Sequence, residues 1–184
     1  LLTIFQEKIL NKKNNHLELF FDEEWNLKPG IISYGHDIEA GWLLQSCAES
    51  INDETWIART KANAVNITNA AMEGLDEDGG LWYELDAKSG RPVKEKHWWP
   101  QAEALIGLCN AWQLTGIAGY RDAMLGNWQF IKKHILDQEK GEWFWGIKQD
   151  YSVIEGQDKI GLWKCPYHNS RACMQIIKRL SLTL

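Results

Sequence analysis

Three stretches of the 184-residue chain begin alike, with a polar or aromatic cluster followed by an apolar run at helical spacing. GHDIEAGWLLQSCAES starts near residue 36, HWWPQAEALIGLCNAWQLTG near 97 and YHNSRACMQIIKRLSL near 168. Starts that recur roughly every 60–70 residues mark an internal repeat, which constrains the fold more tightly than any single motif. In the first stretch Ile38, Trp42, Leu43 and Cys47 keep helical spacing. The segments IEAGWLLQSCA and AEALIGLCNAW carry few charges, as expected of helices screened by neighbours on both sides. Ahead of the third run, Pro166 disfavours helix, and Asn169 or Ser170 is placed to cap the helical run beyond it.

Two further helices are expected between these three, DETWIARTKANAVNITNAAMEGL over 53–75 and IAGYRDAMLGNWQFIKKHILD over 117–137. Each leads into a turn and an aromatic, strand-prone stretch, DEDGGLWYELDAKSGRPV or QEKGEWFWGIKQDYS. HLELFFDEEWNLKPG holds the same place after an amino-terminal helix with Leu2, Phe5, Ile9 and Leu10 on one face and Lys12 and Lys13 closing it. The unit is helix, short link, helix, long loop with a small hairpin. Repeated, it is the pattern of an α/α toroid. About three αα pairs fit this length, and a closed six-pair ring needs roughly twice as much. The expected fold is therefore all-α, half of an (α/α)6 toroid. Residues 1–184 read as one partial domain, with the helices starting at 36, 97 and 168 on the concave side. Its two exposed inner flanks predict self-association, or pairing with a separate amino-terminal segment.

Composition narrows the partners. A formal charge of −5 and no basic cluster speak against nucleic acid. No apolar run reaches the ~20 residues of a membrane span, and the first residues lack the order of a signal peptide. Cys47, Cys109, Cys165 and Cys173 are widely spaced with no C-x-x-C, so buried free thiols in a reducing cytoplasm are expected. The chain holds 11 tryptophans. Some must be core, but an indole is also a flat platform for the C–H face of a sugar ring.

Polar groups gather at the same end of the repeat: Tyr34, His36 and Glu39; His97, Trp98, Trp99 and Glu103; Trp163, Tyr167 and His168. Side chains on loops held by a rigid scaffold can line one pocket. His36 and His168 each read either as a hydrogen-bonded helix-start residue or as an acid/base. Glu39, one turn after His36, either orients an imidazole or a sugar hydroxyl, or is a solvated carboxylate. Trp98, Trp99 and Trp163 are core packing or sugar platforms. His97 reads as a packing or hydrogen-bonding residue, and His16 and His134 as surface or helix-end residues. A metal on His36, Glu39, Glu103 and His168 is disfavoured, because no H-E-x-x-H spacing occurs.

SYGHDIEAGWLL (33–44), WWPQAEAL (98–105) and WKCPYHNSRACMQII (163–177) resemble three carboxyl-terminal motifs of the cellobiose 2-epimerases, in the wider N-acylglucosamine 2-epimerase superfamily. The likeness runs along nearly the whole chain. It implies an (α/α)6 barrel whose amino-terminal half lies outside this sequence. It also implies inversion at C2 of the reducing-end glucose of a β-1,4-linked disaccharide such as cellobiose, giving mannose there. The family mechanism opens the ring, removes the C2 proton, passes through a cis-enediolate and returns a proton to the other face, without a redox cofactor. His36 and His168 match the two acid/bases; Glu39, Trp98, Trp99, Glu103 and Trp163, grouped with them at the helix starts, are expected to bind the substrate. N-acylglucosamine 2-epimerases and aldose–ketose isomerases are alternatives inside the superfamily. Outside it stand a glycoside hydrolase using Asp37 and Glu103 as acid and base, and a non-catalytic carbohydrate-binding module.

Overall fold

The structure, a computed structural model, describes residues 1–28 and 30–181, so Pro29 of the first aromatic stretch and the last three residues lie outside it. The expected helices are all present. α1 (Leu2–Ile4) runs on into a π turn (Phe5–Ile9). α2 spans Tyr34–Ile51, α3 Glu54–Ala71, α4 Trp98–Thr115, α5 Ala118–Phe130 and α6 Tyr167–Ser181. Two residues turn α2 into α3. Asn52 adopts the left-handed conformation (φ 56°) that ends a helix, and the Asp53 carboxylate accepts the Trp56 N–H to start the next. Gly116 (φ 71°) ends α4 in the same conformation. At α6 the expectation fails: Ser170 N–H already bonds to Pro166 O, so Pro166 is the cap and Asn169 and Ser170 lie inside the helix.

α2, α4 and α6 stand side by side, with α4 in the middle, and every residue from Trp98 to Ala111 is buried. α3 lies against α2 and α4, α5 against α4, and both keep an exposed face. Charge-poor sequences therefore became inner helices and charged ones outer helices, as the patterning requires. The two contiguous pairs are α2–α3 and α4–α5. In chain order α6 is the next inner helix, and α1 holds the outer-helix place before α2. The architecture is half of an (α/α)6 ring.

The repeat extends into the loops. After each outer helix a leucine bridges back to an apolar residue, Leu10 to Leu17, Leu75 to Leu81 and Leu136 to Trp143. The next residue, Asn11, Asp76 or Asp137, gives its N–H to the carbonyl of His16, Gly80 or Glu142, each time at 2.9 Å. Short strands then lace one repeat to the next. β1 (Ile31–Ile32) pairs antiparallel with β2 (Glu84–Asp86), which pairs with β3 (Arg91–Val93); β4 (Lys96–His97) pairs with β5 (Gly146–Ile147). Since β1 and β4 lead directly into α2 and α4, the lacing fixes the loop ends of the inner helices against one another. Among the described residues no helix is long and apolar enough to cross a membrane.

α2 and α4 pack tightly at Gly107, where a Cβ would stand 2.3 Å from Ile38 Cγ1 and 3.2 Å from Ile38 O. Gly107→Ala is expected to lower the melting temperature, because overpacking of ~1–3 kcal/mol outweighs a helix-propensity gain of ~1 kcal/mol. Thermal unfolding followed by circular dichroism measures it.

Candidate functional site

The first turns of the inner helices are variations on one pattern: HDIEA from 36, PQAEA from 100 and HNSRA from 168. Because i and i+3 share a helix face while i+1 points elsewhere, the positions divide their work. The second position holds the loop of its own repeat. Asp37 Oδ1 accepts the Leu17 N–H at 2.7 Å, Gln101 accepts the Leu81 N–H and donates to Leu81 O, both at 2.8 Å, and Asn169 donates to Glu142 Oε1 at 2.8 Å. The fourth position faces the centre of the half ring, and there Glu39, Glu103 and Arg171 meet.

Glu103 is fully buried, with both oxygens engaged. Its Oε1 accepts from Arg171 Nη2 (2.6 Å) and His168 Nδ1 (2.7 Å), and its Oε2 from Trp42 Nε1 (3.0 Å). The same Arg171 nitrogen reaches Glu39 Oε1 at 2.7 Å, and the guanidinium lies over the Trp42 and Tyr167 rings at 5.1 and 4.9 Å. Burial, then the Glu103 charge, raises the Glu39 pKa against the pull of Arg171. Ligand atoms of Glu39, Glu103 and His168 lie within 4.8 Å of one another, a spacing that could hold a metal. Arg171 donates to the facing oxygens of both carboxylates, so the protein supplies its own cation there.

Above this network both histidines lie close to one indole. His36 lies 4.7 Å from the Trp99 ring and His168 5.8 Å, centroid to centroid. His36 Nδ1 is 2.8 Å from Ser33 Oγ; His168 Nδ1–H donates to Glu103, which leaves the lone pair on Nε2. Neither Nε2 has a hydrogen-bond partner among the described residues. His36 reaches the open rim, yet the protein around it displaces enough water to hold its pKa below the usual value; the nearby His168 acts the same way, while Asp37 opposes. The cleft, of about 290 Å³, is lined by His36, Glu39, Trp98, Trp99, Trp163 and His168, joined by Tyr83, Trp145 and Tyr167.

Of the residues expected at one pocket, His36, Glu39, Trp98, Trp99, Trp163, Tyr167 and His168 line this cleft; Glu103 lies beneath it, bonded to His168, and Tyr34 and His97 are buried outside its lining. Trp98 is only 3% exposed and packs on Trp145, with Lys164 over its ring, whereas Trp163 is 82% exposed on the loop before α6. Sequence reading missed Arg171 and Trp42; the signal was their register, since Arg171 is the fourth-position counterpart of Glu39 and Glu103. His97 stacks on Tyr83 at 3.9 Å and meets Glu95, a packing role as expected. His16 is a correction. It is buried at 3%, its Nδ1 2.7 Å from Asp37 Oδ2, because the repeat's turn folds it onto α2. Burial alone would lower its pKa, but the Asp37 bond and charge, with Glu73, carry it above the usual value. His134 ends its helix, stacked on Tyr151. The cysteines are free, but only Cys109 is buried: Cys47 is half-buried, Cys165 is exposed on the loop before α6, and Cys173 is exposed on the uncovered face of α6.

Inner helices carrying polar first turns, ringed by outer helices with hairpin-bearing loops at one end, define an α/α-toroid protein with a cleft at its loop end. The N-acylglucosamine 2-epimerase family profile matches residues 1–172, and the chain belongs to that family. It is 44% identical over 177 residues to the cellobiose 2-epimerase of Bacteroides fragilis, covering 96% of this chain and 45% of that protein. To the cellobiose 2-epimerase of Dictyoglomus turgidum it is 39% identical, covering 98% and 46%. Among solved structures, a sugar epimerase from a ruminal bacterium superposes with a TM-score of 0.92 at 34% identity, covering 97% of this chain and 46% of that one. The chain thus spans about half the length of the curated relatives it matches.

Arg171→Met should leave Glu39 and Glu103 facing each other uncompensated, driving the Glu39 pKa up further. A carboxyl whose folded pKa exceeds its unfolded one loses stability as pH rises. The variant's deficit in melting temperature relative to the parent is therefore expected to be larger near about pH 8 than near about pH 4.5. Asp37→Ala should destabilise at neutral pH by ~3–5 kcal/mol, as a buried ion pair broken on one side does, in urea unfolding read by tryptophan fluorescence.

Proposed function

We propose that this chain carries the acid/base half of a carbohydrate 2-epimerase site, acting on the reducing-end glucose of cellobiose and related β-1,4-linked disaccharides. The placement of two imidazoles against the Trp99 ring, in one cleft, supports this reading most directly. C2 inversion needs one group to remove a proton and another to deliver one from the opposite face. His168, its Nδ1–H held by the Glu103 carboxylate, is oriented with a basic Nε2 toward the cleft. His36, whose proton its surroundings make easier to lose, is the complementary group, and each takes the other's role in the reverse reaction. One imidazole starts unprotonated and takes the C2 proton, the electron pair enters the cis-enediolate of the opened sugar, and the other, which starts as an imidazolium, returns its proton to the opposite face of C2. Trp99 is the platform beside them, Trp163 stacks on sugar from the exposed side, and Glu39 with Arg171 offers hydrogen bonds to hydroxyls. The four free thiols fit a cytoplasmic setting.

The hydrolase alternative loses its acid. Asp37 is 1% exposed and bonded to His16 and the Leu17 N–H, away from the cleft lining.

In the full-length protein, His36→Ala and His168→Ala should each abolish net epimerisation of cellobiose. A variant retaining one base can still exchange the C2 proton for deuterium without inversion. Proton NMR in deuterium oxide separates the outcomes; full epimerisation by either variant would refute the two-base assignment. With His36 held below its usual pKa, the acid limb of kcat/KM should fall through an apparent pKa below about 6.5.

A further inference from the structure

Of the described residues from 148 to 168, one side chain is buried, and it is a lysine. Ile160, Leu162 and Trp163 are exposed, whereas Lys164 is fully buried. The segment 155–166, which leads into α6, is therefore fastened to the body by an ammonium group rather than by its apolar side chains. Burial lowers the Lys164 pKa and the Glu142 carboxylate opposes this; a cation so placed is tolerated only where its protons are met. Lys164 Nζ donates to Glu142 Oε1 at 3.1 Å and to Lys159 O at 2.7 Å, and it lies 5.4 Å from the centre of the Trp98 ring.

The anchor is shared with the site. Glu142 Oε1 also accepts from Asn169 Nδ2 at 2.8 Å, so one oxygen ties Lys164 and the first turn of α6 to the same turn of the third repeat. Glu142 stands there in the left-handed conformation (φ 61°), which glycine or asparagine takes most readily, and its carboxylate meets both donors. Lys159 braces the same turn, donating to Asp137 Oδ2 and, at 2.9 Å, to Gly141 O. Gly161 N–H closes onto Lys164 O at 2.7 Å, which leaves Trp163 on the outside of a tight loop. An indole as exposed as Trp163 is not placed by packing, so its position in the cleft lining follows from the backbone beside it. We propose that Lys164 is a positioning residue for the sugar: latched onto Glu142 and Lys159 O, it holds Trp163 over the cleft as the outer wall on which a saccharide stacks. The proposal rests on the carbohydrate reading of the cleft and adds to it the group that sets its outer wall.

Lys164→Met tests it, because the side chain keeps its length and loses its charge. Glu142 is partly exposed and keeps its bond to Asn169, so the variant folds, which circular dichroism checks. In the 184-residue chain, hydrogen exchange of the 156–166 segment should quicken by about tenfold or more while α4 is unchanged, since a charge-assisted bond is lost. In the full-length protein, KM for cellobiose should rise several-fold with kcat within about twofold, as lost stacking requires. Trp163→Ala should raise KM similarly, and the double variant should be no worse than Trp163→Ala alone, because the latch acts through the indole. Unchanged exchange, an unchanged KM, or single effects that multiply in the double variant overturns the proposal. A parent that binds cellobiose without epimerising it refutes the epimerase reading alone, and titration calorimetry then runs the same cycle on Kd, with the same outcomes deciding. A parent that does not bind cellobiose overturns both.

Discussion

A fully buried carboxylate holds the inner helices in register. Glu103 on α4 is bonded to Trp42 on α2 and to His168 and Arg171 on α6, and Arg171 ties in Glu39 from α2. A charge removed from water is costly unless each lone pair is met, and removing one partner costs more than the pair is worth. The network therefore specifies geometry more than it adds stability: only one relative placement of three helices satisfies it. That placement also sets where the His168 imidazole points.

The same first turns do structural and chemical work on different faces. Asp37, Gln101 and Asn169 reach outward to their own loops, while Glu39, Glu103 and Arg171 reach inward. Substituting arginine for glutamate in the third repeat converts three like charges, which would repel, into two acids bridged by a base. Strand lacing between successive loops adds a second constraint at the same end, so the cleft is built where the scaffold is most tightly cross-linked.

The architecture was legible because period and charge-poor helices are global signals. The inner and outer assignments, the helix positions and the loop end carrying the cleft all came from patterning. Partner identities inside the site were not legible, since they depend on which face of each first turn looks inward. Asp37 and Glu39 are both acids within three residues, yet one is fixed to a loop and the other meets Arg171. His16 was misjudged for the same reason: its burial comes from a turn whose pairing appears only when the three loops are compared. The cap of α6 was read at Asn169 or Ser170, although the Pro166 carbonyl takes that place.

The solvent exposure of His36 has a structural cause. Its side of α2 borders the trough, where no inner helix lies among the described residues, while His168 sits against α4 and is half-buried. Any helix seated in the trough takes water from both His36 and Glu39. The desolvation that already holds the His36 pKa down then acts more strongly, and the neutral imidazole is favoured over a wider pH range. Glu39 is driven the other way, toward its protonated form, and leans harder on Arg171 to remain charged. Closing the ring and tuning the two groups nearest its seam are thus one physical event: the contact that screens the apolar flank also sets the acid–base balance of the cleft.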